Sequence, residues 1–153
     1  MRVKRRAVLQ RMPYGGVKAV LIQLNRLAMS QHRVLIVDDH ELVRRGLKDI
    51  LRGTEFEVCG EAQNGQEGLA QTVSLRPTLV LLDMSMPVLT GLQAATKIRQ
   101  LLPGTKILII TMHDSPQMEI EARAAGADAY ITKMAAARSL VEAMRALVGT
   151  SNA

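Results

Sequence analysis

The chain has no tryptophan, one phenylalanine and two tyrosines in 153 residues. It therefore has no aromatic platform on which single-stranded nucleic acid could stack, and aliphatic side chains with nine methionines must fill its core. Cys59 is the only cysteine, so no intramolecular disulfide can form, which suits a reducing cytoplasm. It falls in a predicted buried strand and reads as a small packing residue. No apolar run reaches the roughly 18 residues that a membrane helix needs. The longest candidate, residues 17–24, is broken by Lys18 and followed by no small-residue cleavage signature, which argues against a secretory signal. Acid is missing from residues 1–31, where Arg2, Lys4, Arg5, Arg6, Arg11, Lys18 and Arg26 give +7. The net charge of +6 and the pI near 10.0 thus belong to that leader. The remainder carries 13 basic and 14 acidic groups, and its net −1 gives little support for a DNA-binding body.

What is present is an alternation of two hydrophobic periods, on a scale that fits one domain. Residues 33–37, 78–82 and 106–110 are short continuous apolar runs, the mark of strands buried on both faces. Residues 56–62 and 129–132 read as two further strands. Between and after them, helical spacing occupies residues 40–51, 65–75, 91–102, 116–125 and 135–148. Gly53 and Pro103-Gly104 supply stops, and Pro116 suits a first turn. Five strands alternating with five helices predict a five-stranded parallel sheet with helices on both faces, a doubly wound (βα)5 flavodoxin-like fold.

The organisation that follows is a basic leader over residues 1–31, a domain over 32–149, and a tail or the start of a linker over 150–153. The leader shows no helical or strand period, and Pro13 with Gly15-Gly16 breaks it. It reads as a disordered extension or an over-long start. The alternative is a basic arm touching nucleic acid or an anionic surface.

The chemistry sits where strands run out. Asp38-Asp39 follows the first apolar run, Asp83 the third, Thr111 the fourth, and Lys133 closes the fifth. In an open parallel sheet, ligands bind outside the carboxyl ends of the strands, so these residues are expected to converge. Each has a plain reading: Asp39 as a helix cap, Asp83 as a turn former, Thr111 as a β-branched packing residue, Lys133 as a solvated charge. Together they suit a cation and a phosphoryl group. Adjacent carboxylates repel unless a cation is shared, and Mg2+ accepts one or two carboxylates plus waters. A carboxylate at that edge can be a nucleophile, and a lysine and a hydroxyl can stabilise phosphoryl oxygens. Ser85, two residues after Asp83, can add its backbone carbonyl to the metal shell.

Val34-Leu35-Ile36-Val37-Asp38-Asp39-His40, Leu81-Leu82-Asp83-Met84-Ser85-Met86-Pro87-Val88-Leu89-Thr90-Gly91, Ile110-Thr111 and Tyr130-Ile131-Thr132-Lys133 together resemble a response-regulator receiver domain of two-component systems. The resemblance covers residues 33 to about 149. His40, Arg44, Gly46 and Gly126-Ala127-Asp128-Ala129-Tyr130 resemble the NarL/FixJ branch. The resemblance implies that Asp83 is the phosphoacceptor and that Asp38, Asp39 and Asp83, with the Ser85 carbonyl, hold Mg2+ (or Mn2+). It implies Thr111 as the switch hydroxyl, Lys133 as the phosphate-contacting cation and Tyr130 as the rotating aromatic, for which strand packing is the plain reading. Ser85 and His113 are expected to tune the phosphate's lifetime.

The same resemblance implies a cytoplasmic phosphoacceptor that catalyses its own phosphorylation and dephosphorylation without being a dedicated enzyme. Its partner is a histidine kinase or histidine phosphotransfer protein, and a phosphorylation-dependent homodimer is compatible with it. No membrane and no DNA contact by this chain itself are expected. The switched surface is the face formed by the fourth helix, fifth strand and fifth helix, near residues 116–125 and 135–148. Two departures stand out. Met134 follows Lys133 where the family usually has proline or, in this branch, an acidic residue. The branch usually carries a helix-turn-helix output domain, for which residues 149–153 leave no room; that domain is either naturally absent or cut away. A stand-alone phosphate sink or interaction switch is the alternative to transcription control. An Asp-nucleophile phosphatase is disfavoured, because its Asp-x-Asp pattern and cap domain are missing. A nucleotide or flavin module would need a Gly-rich cradle, and Asp38-Asp39-His40-Glu41 stands there instead.

Overall fold

The apolar runs become strands of one parallel sheet because they have no polar side to turn toward water. The structure, a computed structural model, describes residues 14–29 and 32–149. Its strands are β1 (His32–Val37), β2 (Phe56–Ala62), β3 (Leu79–Asp83), β4 (Lys106–Thr111) and β5 (Ala129–Thr132). They pair in parallel in the order β2-β1-β3-β4-β5. The helices are α1 (Tyr14–Met29), α2 (Glu41–Leu51), α3 (Gly65–Leu75), α4 (Gly91–Leu101), α5 (Pro116–Ala124) and α6 (Lys133–Gly149). From β1 onward this is the doubly wound flavodoxin-like alternation that the sequence predicts.

The two-residue period of each strand divides the core into two layers. Val34, Ile36, Leu79, Leu81, Leu108 and Ile110 face α2 and α6, meeting Leu47, Leu51, Leu140 and Met144. Leu35, Val37, Val80, Leu82, Ile107 and Ile109 face the other way, onto Ala94, Ala95 and Ile98 of α4 and Ala122 of α5. Full burial of each Leu, Ile or Val side chain contributes about 1.5–3 kcal/mol, which is why polar residues are confined to strand ends.

Local signals start and stop the elements. Asn64 and Ser115 cap α3 and α5 by accepting from the Glu67 and Met118 amides. Thr90 and Gln93 form a reciprocal capping box on α4. Asp128 accepts from the Ile107 amide (2.8 Å) and the Arg99 guanidinium (2.5 Å), while Arg99 also donates to the Gly126 carbonyl. The Gly126-Ala127-Asp128 stretch therefore clamps α4 to the β5 side of the sheet, at the end away from the strand carboxyl termini.

The structure differs from the sequence reading in four places. Residues 14–29 form α1 where a leader without helical period was expected; residues 1–13, 30 and 31 and the tail 150–153 lie outside the described residues. Val17, Val20, Leu21 and Leu24 are spaced i, i+3, i+4 and i+7, the period of one helical stripe with Ile22 outside it, which the reading of Pro13 and Gly15-Gly16 as breakers passed over. Asp83 is the last residue of β3, not the first beyond it. The final helix begins at Lys133 because Thr132 Oγ1 accepts from the Ala135 amide (3.0 Å) and caps it. Cys59 is half-exposed: β2 is an edge strand, and the register shift between Val34/Leu35 pairs Val58 and then Gly60 with β1, passing over Cys59.

Candidate functional site

The strand order reverses between β1 and β3, and the crevice at their carboxyl ends is where this fold class leaves room for a ligand. β1 delivers Asp38 there, its amide held by the Ala62 carbonyl (3.1 Å) and its side chain buried. β3 delivers Asp83, 5% exposed, and β4 ends in buried Thr111. The Lys133 ammonium reaches in from the first residue of α6, 2.9 Å from Asp38 Oδ2 and 3.4 Å from Asp83 Oδ1. Side chains 95 positions apart in sequence thus meet at one edge.

Asp39 does not cap α2. The cap position belongs to His40, which makes no side-chain capping bond, leaving Asp39 free to face the crevice. Its Oδ1 is buried without a hydrogen-bond partner. The His40 Nδ1 atom lies 3.0 Å away but outside hydrogen-bonding geometry, so proximity alone does not satisfy that oxygen. Asp38 Oδ1 accepts from the His40 amide (2.8 Å). One ligand atom each from Asp38, Asp39, His40 and Asp83 lies within 4.8 Å of the others. Mg2+ takes oxygen ligands, so the three carboxylates of this cluster, rather than the imidazole, would hold it. An orphaned carboxylate oxygen beside two further carboxylates is the donor set that a hard cation satisfies.

The electrostatics are those of a site short of positive charge. Burial, then the charge of Asp38, pushes the Asp83 carboxyl up to about 6 despite the opposing pull of Lys133. Burial also works against the Lys133 ammonium, but its bond to Asp38 and the charges of Asp83 and Asp38 outweigh this and hold its pKa above the ordinary lysine value. One ammonium cannot neutralise several carboxylates, which is why Lys133 and Asp83 both shift upward.

Of the sequence candidates, Asp38, Asp39, Asp83 and Lys133 are brought together. Thr111 sits at the neighbouring strand end, its Oγ1 accepting from the His113 amide (3.3 Å). Tyr130 packs against the α3–α5 side of the core and donates its hydroxyl to the His113 carbonyl (2.6 Å). Ser85 and His113 lie exposed on the flanking loops. The loop after β3 folds back on itself: the Gly91 amide donates to the Met84 carbonyl (3.0 Å), and a Cβ at Gly91 would run into the Asp83 backbone. Sequence reasoning missed two contributors, His40 as a cluster member and Arg44, whose guanidinium donates to the Asp38 carbonyl (2.8 Å). The i, i+4 placement of Arg44 and Lys48 on a helix beside an acidic strand residue was the available signal.

Comparison with known proteins agrees with this geometry. The family described as response regulator receiver domain matches residues 34–145. Response regulator protein VraR of Staphylococcus aureus is 38% identical over 114 residues, covering 74% of this chain and 54% of VraR. The chain thus spans about half the length of the curated relatives it matches. A two-component response regulator of the LuxR family from Aurantimonas sp. SI85-9A1 superposes with a TM-score of 0.74 at 34% identity, covering 78% of this chain and 86% of that one. The signal receiver domain of Mycobacterium tuberculosis NarL gives 0.74 at 31% identity, covering 79% and 98%. Among the described residues no helix is long and apolar enough to cross a membrane. The chain belongs to the response regulator receiver domains of two-component signalling, and within them it is related to the LuxR/NarL-type regulators.

Proposed function

We propose that Asp83 accepts a phosphoryl group from the phosphohistidine of a histidine kinase or histidine phosphotransfer protein. The observation that carries this reading is the Lys133 ammonium held between Asp38 and Asp83 in a buried, carboxylate-rich crevice. A carboxylate oxygen of Asp83 attacks phosphorus in line as the donor's N–P bond breaks. The leaving imidazole takes up a proton and departs neutral. Lys133 offsets charge on Asp83 before transfer and on the phosphoryl oxygens after it. Mg2+ (or Mn2+), held by Asp38, Asp39 and Asp83 with the Ser85 carbonyl, supplies neutralisation of those oxygens when bound.

Thr111 then turns its hydroxyl from the His113 amide toward the phosphoryl group, and Tyr130 moves inward. Ser85 and His113 flank the crevice and tune how long the phosphate persists. The change biases the face formed by α5, β5 and α6, where a phosphorylated second copy would pair. Output is transcription control in the cytoplasm by a DNA-binding part outside residues 1–153, consistent with a match that covers only 54% of VraR; this chain itself makes no DNA contact. The test is labelling by a small-molecule phosphodonor in the presence of Mg2+. Wild type takes up phosphate and an Asp83→Asn variant does not; equal labelling of the two ends the proposal.

A further inference from the structure

The backbone of the acidic doublet is held by a side chain outside the carboxylate cluster. Arg44 on α2 is 11% exposed, and its fork spans two elements. Nη1 donates to the Asp38 carbonyl (2.8 Å) and Nε to Glu61 Oε1 on β2 (3.2 Å). The other Glu61 oxygen accepts from Lys48 Nζ (2.9 Å), one turn further along α2. The Glu61 carbonyl in turn accepts from Gln71 on α3 (2.6 Å). Arg44 is therefore fixed before it fixes anything else.

The Asp38 carbonyl lies in the peptide plane that joins Asp38 to Asp39. With the Asp38 amide held by Ala62 and this carbonyl held by Arg44, the direction in which Asp39 leaves β1 is set. Asp39 is the residue whose buried Oδ1 has no partner. We propose that Arg44, anchored by Glu61 and Lys48, is a positioning residue for the divalent cation: it acts through the Asp38 carbonyl to hold Asp39 at the site. This rests on the functional reading above and deepens it.

The sign of the effect separates positioning from plain electrostatics. A guanidinium near a cation site repels the cation, so if charge were its only influence, removing it would tighten Mg2+ binding. Positioning gives the opposite result. Loss of an outer-shell partner weakens metal affinity about tenfold or more. Lysine keeps the charge but cannot span two acceptors as the fork does. The experiment is calorimetric titration of Mg2+ into the full chain for wild type, Arg44→Ala, Arg44→Lys and Glu61→Gln, with circular dichroism confirming the fold. All three variants are expected to bind Mg2+ more weakly, Arg44→Ala and Arg44→Lys by about tenfold and Glu61→Gln by less. Phosphorylation from a small donor is expected to recover at saturating Mg2+. Unchanged or tighter Mg2+ binding in Arg44→Ala and Arg44→Lys overturns the inference, whatever Glu61→Gln does, because loss of the Glu61 charge weakens cation binding on electrostatic grounds alone. Wild type that binds no Mg2+ overturns the functional reading as well, so the two failures are distinguishable.

Discussion

Asp83→Asn should make the protein more stable, and the gain should follow pH. The buried Asp83 carboxyl titrates near 6 in the fold against 3.8 unperturbed. A raised carboxyl pKa contributes stability below the unfolded value, and this is lost as pH rises through the folded one. Above about pH 6 the wild type therefore holds a charge it would rather neutralise. At about 1.36 kcal/mol per unit, a shift from 3.8 to about 6 corresponds to about 3 kcal/mol. Solvent at the mouth of the crevice screens part of this, leaving about 2 kcal/mol. The attraction of Lys133 is already contained in the shift, so asparagine recovers most of that penalty. For a chain of this size each kcal/mol moves Tm by roughly 2–4 °C, which gives a rise of roughly 4–8 °C near pH 8. Near pH 4 both proteins are largely uncharged at this position and the gap should nearly close. Saturating Mg2+ should narrow it at pH 8 by stabilising the wild-type fold through binding. Thermal unfolding followed by circular dichroism at about pH 4, 6 and 8, with and without Mg2+, reads all of this. A gap that is absent, or equal at all three pH values, refutes the electrostatic account of the crevice.

Two further outcomes follow from other parts of the fold. Val88 sits at φ +68° in the loop after β3, where the Leu89 amide turns back to the Pro87 carbonyl (2.8 Å). Releasing that backbone gains about 1–2 kcal/mol, against about 0.5–1 kcal/mol for glycine's freedom when unfolded. Val88→Gly should therefore raise Tm by a few degrees at most, and a lowered Tm contradicts it. Glu55 forms a two-pronged ion pair with Arg145 on α6, and its bonds to that guanidinium bring the carboxyl down to about 2. That contribution is present above about pH 4.5 and lost as pH falls through about 2. Glu55→Gln should melt below wild type at neutral pH, with the difference vanishing near pH 2; a pH-independent difference would point to packing instead.

Much of this was legible in the sequence because burial on both faces leaves so plain a mark. Residues 34–37, 79–82 and 107–110 contain no polar side chain, and each hands over to a polar one at the ligand edge. Composition alone could not show that His40 takes the cap position and leaves Asp39 unpartnered, because capping depends on backbone angles after the strand. For Arg44 only the i, i+4 spacing with Lys48 was a signal, because its target is a main-chain carbonyl with no residue-type signature. The α1 helix was overlooked for a different reason. Val17, Val20, Leu21 and Leu24 do keep a helical period, but Pro13 and Gly15-Gly16 just before them read as breaks. The Cys59 exposure turned on a register shift that no local pattern records.

Thr111 and Tyr130 stand on neighbouring strands, yet both grip the same residue, one through its nitrogen and the other through its oxygen. A hydroxyl that lets go of the first end leaves the second end held only by a phenol. His113 is thus held at both of its main-chain ends. In a nuclear magnetic resonance spectrum its own amide should report the state of the crevice, and the amide of Asp114, which shares a peptide plane with the His113 carbonyl, the pose of the ring.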